Sequence, residues 1–180
     1  MDNLTEQVVK VKKTAKYYIN IILIIFFALA IPAGVIVLAE LFRLAYLIYI
    51  AFFLLVVCGY LTWFFISSLN IEYEYVLLGS NFGIDKIIAK RRRKKMLKLD
   101  IKEINEFLKY TDEEMSKRKF SKIYELGSER FSENNYIACF HSEAKGSCAL
   151  IFSPNEKMLQ AMKPYFKQEI ALKIYKEKMF

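Results

Sequence analysis

A single histidine, His141, serves all 180 residues. Any Ser-His or Cys-His nucleophilic scheme must run through it, and no acid is evidently placed to orient the ring. Cysteine is nearly as scarce, at three residues with no CxxC pair, which argues against a zinc ribbon or a disulfide scaffold. The six glycines form no phosphate cradle. Gly79-Ser80-Asn81-Phe82-Gly83 is too short for a P-loop or Rossmann turn and leads into a strand. The most telling absence is charge. Tyr17–Leu38 runs 22 residues, and Leu44–Leu69 runs 26, without Asp, Glu, Lys, Arg or His.

As helices these runs reach roughly 33 and 39 Å, enough to cross a hydrocarbon core of about 30 Å with some tilt. Only Ala39–Arg43 separates them, so residues 17–69 read as a transmembrane hairpin with spans over 17–38 and 44–69. Ala28-Leu29-Ala30 has the form of a signal cleavage site. However, Pro32 follows too closely, and the apolar run continues to Leu38. Lys10, Lys12, Lys13 and Lys16 precede the first span, whereas the connecting loop offers only Arg43. The positive-inside tendency therefore places both termini in the cytoplasm, with the protein a two-span resident of the cell membrane. No ionisable group lies at depth, which excludes a proton relay or ion pathway built by this chain alone. Pro32 should kink the first span. Ala30 and Gly34 make a small-xxx-small pair for close helix packing, against the second span or against another subunit.

Residues 1–16 read as a short basic arm and residues 70–180 as one cytoplasmic domain. That domain holds 22 Lys or Arg against 16 Asp or Glu. Ile71–Leu78 alternates, with Tyr73, Tyr75 and Leu77 on one side and Glu72 and Glu74 on a solvated other side, the pattern of a half-buried strand. Gly79-Ser80-Asn81 turns the chain and Phe82–Ala89 returns. The run Lys90-Arg91-Arg92-Arg93-Lys94-Lys95, flanked by Lys86 and Lys98, forms a basic tip before the apolar stretch Met96–Leu99. Asp100 with Glu103, and Thr111 with Glu114, suggest capped helical turns. Lys122–Gly127 reads as a strand. Tyr136–His141 and Ser147–Phe152 flank Glu143–Gly146 as a hairpin. Ser153, Pro154 and Glu156 open a C-terminal helix as cap, first residue and capping-box partner. Met158, Met162, Phe166, Ile170 and Ile174 give it a packing face, interrupted at Pro164.

Antiparallel strands finished by one C-terminal helix are the order of a pleckstrin-homology-like (PH-like) barrel or sheet. The fold class is therefore an α+β membrane protein, an N-terminal helical hairpin followed by such a domain. Glu72-Tyr73-Glu74-Tyr75, Gly83–Lys95 and Ile151–Leu159 resemble an uncharacterised family of small bacterial membrane proteins, mostly from Firmicutes. These have two N-terminal spans and a cytoplasmic PH-like domain. The resemblance covers nearly the full chain and implies fold and topology; it implies no activity.

The basic run is the feature with a clear physical pull. Held near an anionic leaflet, each Lys or Arg contributes about 1 kcal/mol of attraction. Lys90, Arg91, Arg92, Arg93, Lys94 and Lys95 are thus candidates for contact with lipid headgroups. The alternatives are a solvated or topogenic loop, and a docking patch for an acidic protein. Nucleic acid is not expected: acids are interspersed through the domain and no reading motif is present. Cys139, His141 and Cys148 fall on one face if Glu143–Gly146 closes the hairpin, giving three candidate zinc ligands, but small apolar cysteines are more often core residues. No metal, cofactor or enzymatic activity is expected. The sequence reads as a non-catalytic membrane module binding anionic lipid or a protein, with an accessory subunit of a transporter, secretion or envelope complex as the alternative. Partners would then be a membrane protein or a second copy of the chain.

Overall fold

The computed structural model describes residues 4–129, 132 and 134–176. The chain divides into two compact units: residues 13–70, and the residues up to Lys12 together with those from Ile71 onward.

In the helical unit, α1 (Ala15–Phe42) and α2 (Tyr46–Ser68) pack as a hairpin. Ile24, Ala28, Pro32, Val35 and Ala39 on α1 are covered at steps of three and four, as are Leu47, Ala51, Leu54, Cys58 and Thr62 on α2. That is the narrow seam of a helix pair. Elsewhere large apolar side chains stand open, with Ile22, Phe52 and Tyr49 at 66, 73 and 80% exposure. Both helices are long and apolar enough to cross a membrane, and a water-facing surface of this kind would be untenable. The expected loop is shorter than its sequence suggested. Ala39–Phe42 stay helical, and Arg43 in the left-handed region (φ 53°) ends α1, with Leu44 N–H donating to Ala39 O at 3.0 Å. The helix runs unbroken through Pro32, which is buried in the seam.

The second unit stacks two four-stranded sheets. Sheet A has the order β1 (Leu4–Lys10), β2 (Ile71–Leu78), β3 (Asn81–Ile88), β4 (Arg92–Asp100), all antiparallel. After a 3₁₀ turn at Ile101–Glu103 come β5 (Ile104–Lys109), α3 (Asp112–Ser116), β6 (Lys122–Glu125), β7 (Tyr136–Ser142) and β8 (Gly146–Phe152). Sheet B orders them β5-β7-β8-β6. The expected caps are present: Asp100 accepts from Lys102 N–H, and Thr111 from Glu114 N–H. Three sequence expectations change. The arm is not separate from the domain, since Leu4–Lys10 is the edge strand of sheet A, paired Lys10↔Glu72 to Leu4↔Leu78. The strands are not all antiparallel, because β6 lies parallel to β8. No barrel closes among the described residues; side chains, rather than a ladder, join the two sheets.

The core lies between the sheets. Tyr75, Phe82, Phe107 and Phe152 form a buried aromatic cluster with ring centroids 5.4–6.2 Å apart. The C-terminal segment seals it with Met158, Met162, Phe166, Ile170 and Ile174, all buried. It is broken as Pro164 requires, into α4 (Glu156–Met162), a 3₁₀ turn and α5 (Gln168–Lys176). Ser153 does not cap α4. Asn155 does, its Oδ1 accepting from Met158 N–H at 2.8 Å, because Ser153 is engaged elsewhere. Its hydroxyl donates to Asn135 Oδ1 and accepts from Ser128 N–H at 2.8 Å. Gly127 lets these groups meet: a Cβ there would lie 2.9 Å from Ser153 Oγ.

β1 contributes buried Val9 and Thr5, and Gln7 bonds both to Ser153 O and to Asn155 N–H. A fragment starting at Asn70 should lose on the order of 3 kcal/mol of stability relative to one retaining the strand. Joining Val11 to Ile71 through Asn-Gly should restore it, since Val11 N–H already donates to Ile71 O at 3.3 Å. Chemical denaturation of both soluble forms gives the comparison; equal midpoints would show β1 to be dispensable.

Candidate functional site

The basic run is not a tip. Only Lys90 and Arg91 belong to the turn; Arg92, Arg93, Lys94 and Lys95 form the first half of β4. The turn is held by Arg91 N–H donating to Ile88 O at 3.1 Å, with left-handed φ at Ala89 (54°) and Lys90 (56°). Asn and Gly normally fill such positions. Ala and Lys each cost about 1 kcal/mol there, so Lys90 keeps its charged side chain at the expense of backbone comfort.

Because strand side chains alternate, the run is divided between two faces. A bulge between Ile84 and Asp85 sets the register, which then reads Asp85↔Lys95, Lys86↔Lys94, Ile87↔Arg93 and Ile88↔Arg92. Arg93 and Lys95 therefore share the outer face of sheet A with Glu72, Glu74 and Asp85. Arg92 and Lys94 share the inner-side face with Lys86, Tyr73, Ile71 and Ile88.

On the outer face Arg93 meets an acid. Glu74, expected on a solvated edge, is 8% exposed. Arg93 Nη2 donates to its Oε1 at 3.1 Å, and Nη1 lies 2.8 Å from Oε2 as a charge contact without hydrogen-bond alignment. On the other face, Lys86, Arg92 and Lys94 join none of the ion pairs among the described residues. Burial, and secondarily the charge of Glu125, raise the pKa of the Tyr73 phenol on that face.

Other candidates separate too. Ala30 and Gly34 are exposed rather than in the α1–α2 seam, and a Cβ on Gly34 would meet nothing within 4 Å. Within the hairpin, then, neither is part of the seam. Cys139 pairs with Ala149, and Cys148 with Phe140, one residue from the expected register. The two thiols hence face opposite sides of sheet B, Cys148 in the main core and Cys139 in a smaller cluster under Met115 and Phe120, while His141 is exposed. The three do not converge. Sequence reading also missed Arg118, which bonds Glu114 at 2.6 Å and meets Glu106 at 2.9 Å, fastening the α3 segment over that cluster. The Arg118 hydrogen bond, helped by Lys117, lowers the Glu114 pKa.

Burial, with a contribution from Glu106, pushes the Cys139 thiol up to about 11. Near neutral pH its thiolate fraction falls on the order of 100-fold below that of a free thiol. Maleimide labelling of the folded protein, read by peptide mapping, should be correspondingly slow and rise about tenfold per pH unit up to that value. Labelling at the free-thiol rate would contradict the buried placement.

The stacked sheets, terminal helices and preceding hairpin can now be set beside known proteins. No curated protein and no solved structure matches the chain. A family model described as "Bacterial PH-like domain (DUF6106)" matches residues 1–172, helices and β1 included. The chain therefore belongs to this bacterial PH-like family.

Proposed function

We propose that α1 and α2 cross the cell membrane as an antiparallel anchor, with both chain ends in the cytoplasm, and that the PH-like domain works there as a non-catalytic binding module. Its β3–β4 hairpin contacts anionic lipid headgroups. The supporting observation is the register of sheet A. Ile71 pairs with Ile88, so the Ala89–Arg91 turn lies at the end of the sheet where the chain arrives from α2. Lys10, where the chain departs for α1, is at that same end. Leu69 and Asn70 alone link α2 to β2, a reach of at most about 11 Å. A paired strand adds about 5 Å. So short a tether lets the cations of the turn come within a Debye length of the headgroups. With Arg93 paired to Glu74, each of Lys90, Arg92 and Lys94 contributes about 1 kcal/mol there. The topology rests on Lys10, Lys12, Lys13 and Lys16 before α1, against Arg43 alone between the helices.

Replacing Lys90, Arg91, Arg92 and Lys94 with Gln should reduce the phosphatidylglycerol retained by the full-length protein in micelles, relative to phosphatidylcholine, by at least about tenfold at low salt. Native mass spectrometry reads the bound lipids. Retention unchanged by the four substitutions overturns the lipid reading.

The outward position of Ala30 and Gly34 favours a second reading, in which the spans also seat a partner helix as an accessory subunit or a second copy would. Gly34→Leu has open space within the hairpin, so its fold should survive. Quantitative crosslinking in native membranes should lose a stoichiometric neighbour in this variant. A crosslinking pattern identical to that of the unaltered protein excludes a partner at this surface.

A further inference from the structure

Across the two faces of the β3–β4 hairpin, similar side chains have opposite surroundings. On the outer face every row that carries a cation in the lower half of β4 also carries an acid. Lys95 lies in the row of Asp85 and Glu74, and Arg93 in the row of Glu72, with Arg93 bonded diagonally to Glu74. On the inner-side face the rows are Tyr73–Lys86–Lys94 and Ile71–Ile88–Arg92. The rows themselves contain three cations and no carboxylate, and the acid whose charge reaches them at Tyr73 is Glu125, from β6 of the other sheet. Lys86 and Lys94 are direct cross-strand partners, and like charges so placed, with Cβ atoms about 5 Å apart, repel. Lys86 is half-buried, so water screens it less than it does Arg92 and Lys94, which are exposed.

We propose that Lys86, Arg92 and Lys94 form a phosphate-binding site, in which one phosphate group bridges the two lysines and takes a further contact from the Arg92 guanidinium. The proposal rests on the lipid-contact reading and narrows it from a diffuse basic surface to one face of one hairpin. A phosphate oxygen placed between the ammonium groups turns a repulsive pair into two charge-assisted contacts, and Arg92, in the next row, offers the planar fork that matches phosphate. Arg93, bonded to Glu74, and Lys95, in the row of Asp85 and Glu74, belong to the same run but lie on the opposite face and stay outside the site. The source of the phosphate is either a lipid headgroup or a soluble phosphate compound.

Lysine acetylation of the full-length protein in nanodiscs distinguishes these cases, with peptide mapping of Lys86, Lys94, Lys95 and Lys98. Four conditions are compared: phosphatidylcholine alone, the same with phosphatidylglycerol, the same with phosphatidic acid, and phosphatidylcholine with inorganic phosphate in solution. Labelling of Lys86 and Lys94 should slow by about fivefold or more when the site fills, while Lys95 and Lys98 change by less than about twofold. Slowing in the anionic-lipid discs alone assigns the site to headgroups. Slowing by inorganic phosphate as well assigns it to phosphate from either source. Arg92→Gln should return both lysines toward their unprotected rates, whereas Arg93→Gln should not. Equal protection of all four lysines overturns the face-specific site while leaving the lipid-contact reading in place. Protection of none of them under any condition overturns both.

Discussion

The Tyr75 hydroxyl is the point at which the two sheets become one body. It sits at 0% exposure among the rings of Phe82 and Phe152, donates to Leu126 O at 2.6 Å and accepts from Ser153 N–H at 3.1 Å. Leu126 follows β6 and Ser153 follows β8, so one phenol on sheet A satisfies two backbone groups of sheet B. Burial raises its pKa far above the ordinary tyrosine value, which keeps the proton in place as donor. Either backbone group left unpaired at this depth would cost about 1–3 kcal/mol. Gln7, Asn135, Ser128 and Ser153 extend the same knot. Without a ladder between the sheets, this network and the aromatic cluster fix how they stack.

Much of this was legible in the chain. Two uncharged runs gave the hairpin, alternation gave β2, and the four-residue recurrence from Met158 to Ile174 gave the covering helices. What escaped had physical reasons. β1 presents Thr5, Gln7 and Val9 to the inside, and only one of these is apolar, so its period of two is invisible to hydrophobicity. Ser153 read as the cap of α4, but Asn135, 18 residues earlier, engages its hydroxyl, and Asn155 caps the helix instead. The zinc-like grouping failed on a single step of register, which sends Cys148 to the face opposite Cys139.

The basic run shows where composition stops informing. Six consecutive cations look like one patch, yet two lie in the turn and the four in β4 are two sets of neighbours on opposite faces. Glu74 decides the difference. Its near burial was hidden by an alternation that assigned it to solvent, and its bond to Arg93 removes that arginine from the charge available to a ligand. Counting lysines and arginines measures attraction to an anionic surface; only register tells which of them remain uncommitted.

The placement of β1 ahead of the helices has one more consequence. Some 60 residues lie between two strands that must pair, so the ladder can form only after the whole insertion has been synthesised. On the proposed two-span topology, β1 and β2 emerge into the same compartment only if the number of crossings is even. A molecule that threaded one helix and stranded the other would leave its first strand on the wrong side, and its sheet would stay short of an edge. Completion of the folded domain thus doubles as a check on insertion, and a mis-threaded copy would betray itself to cellular proteases by an unfinished core.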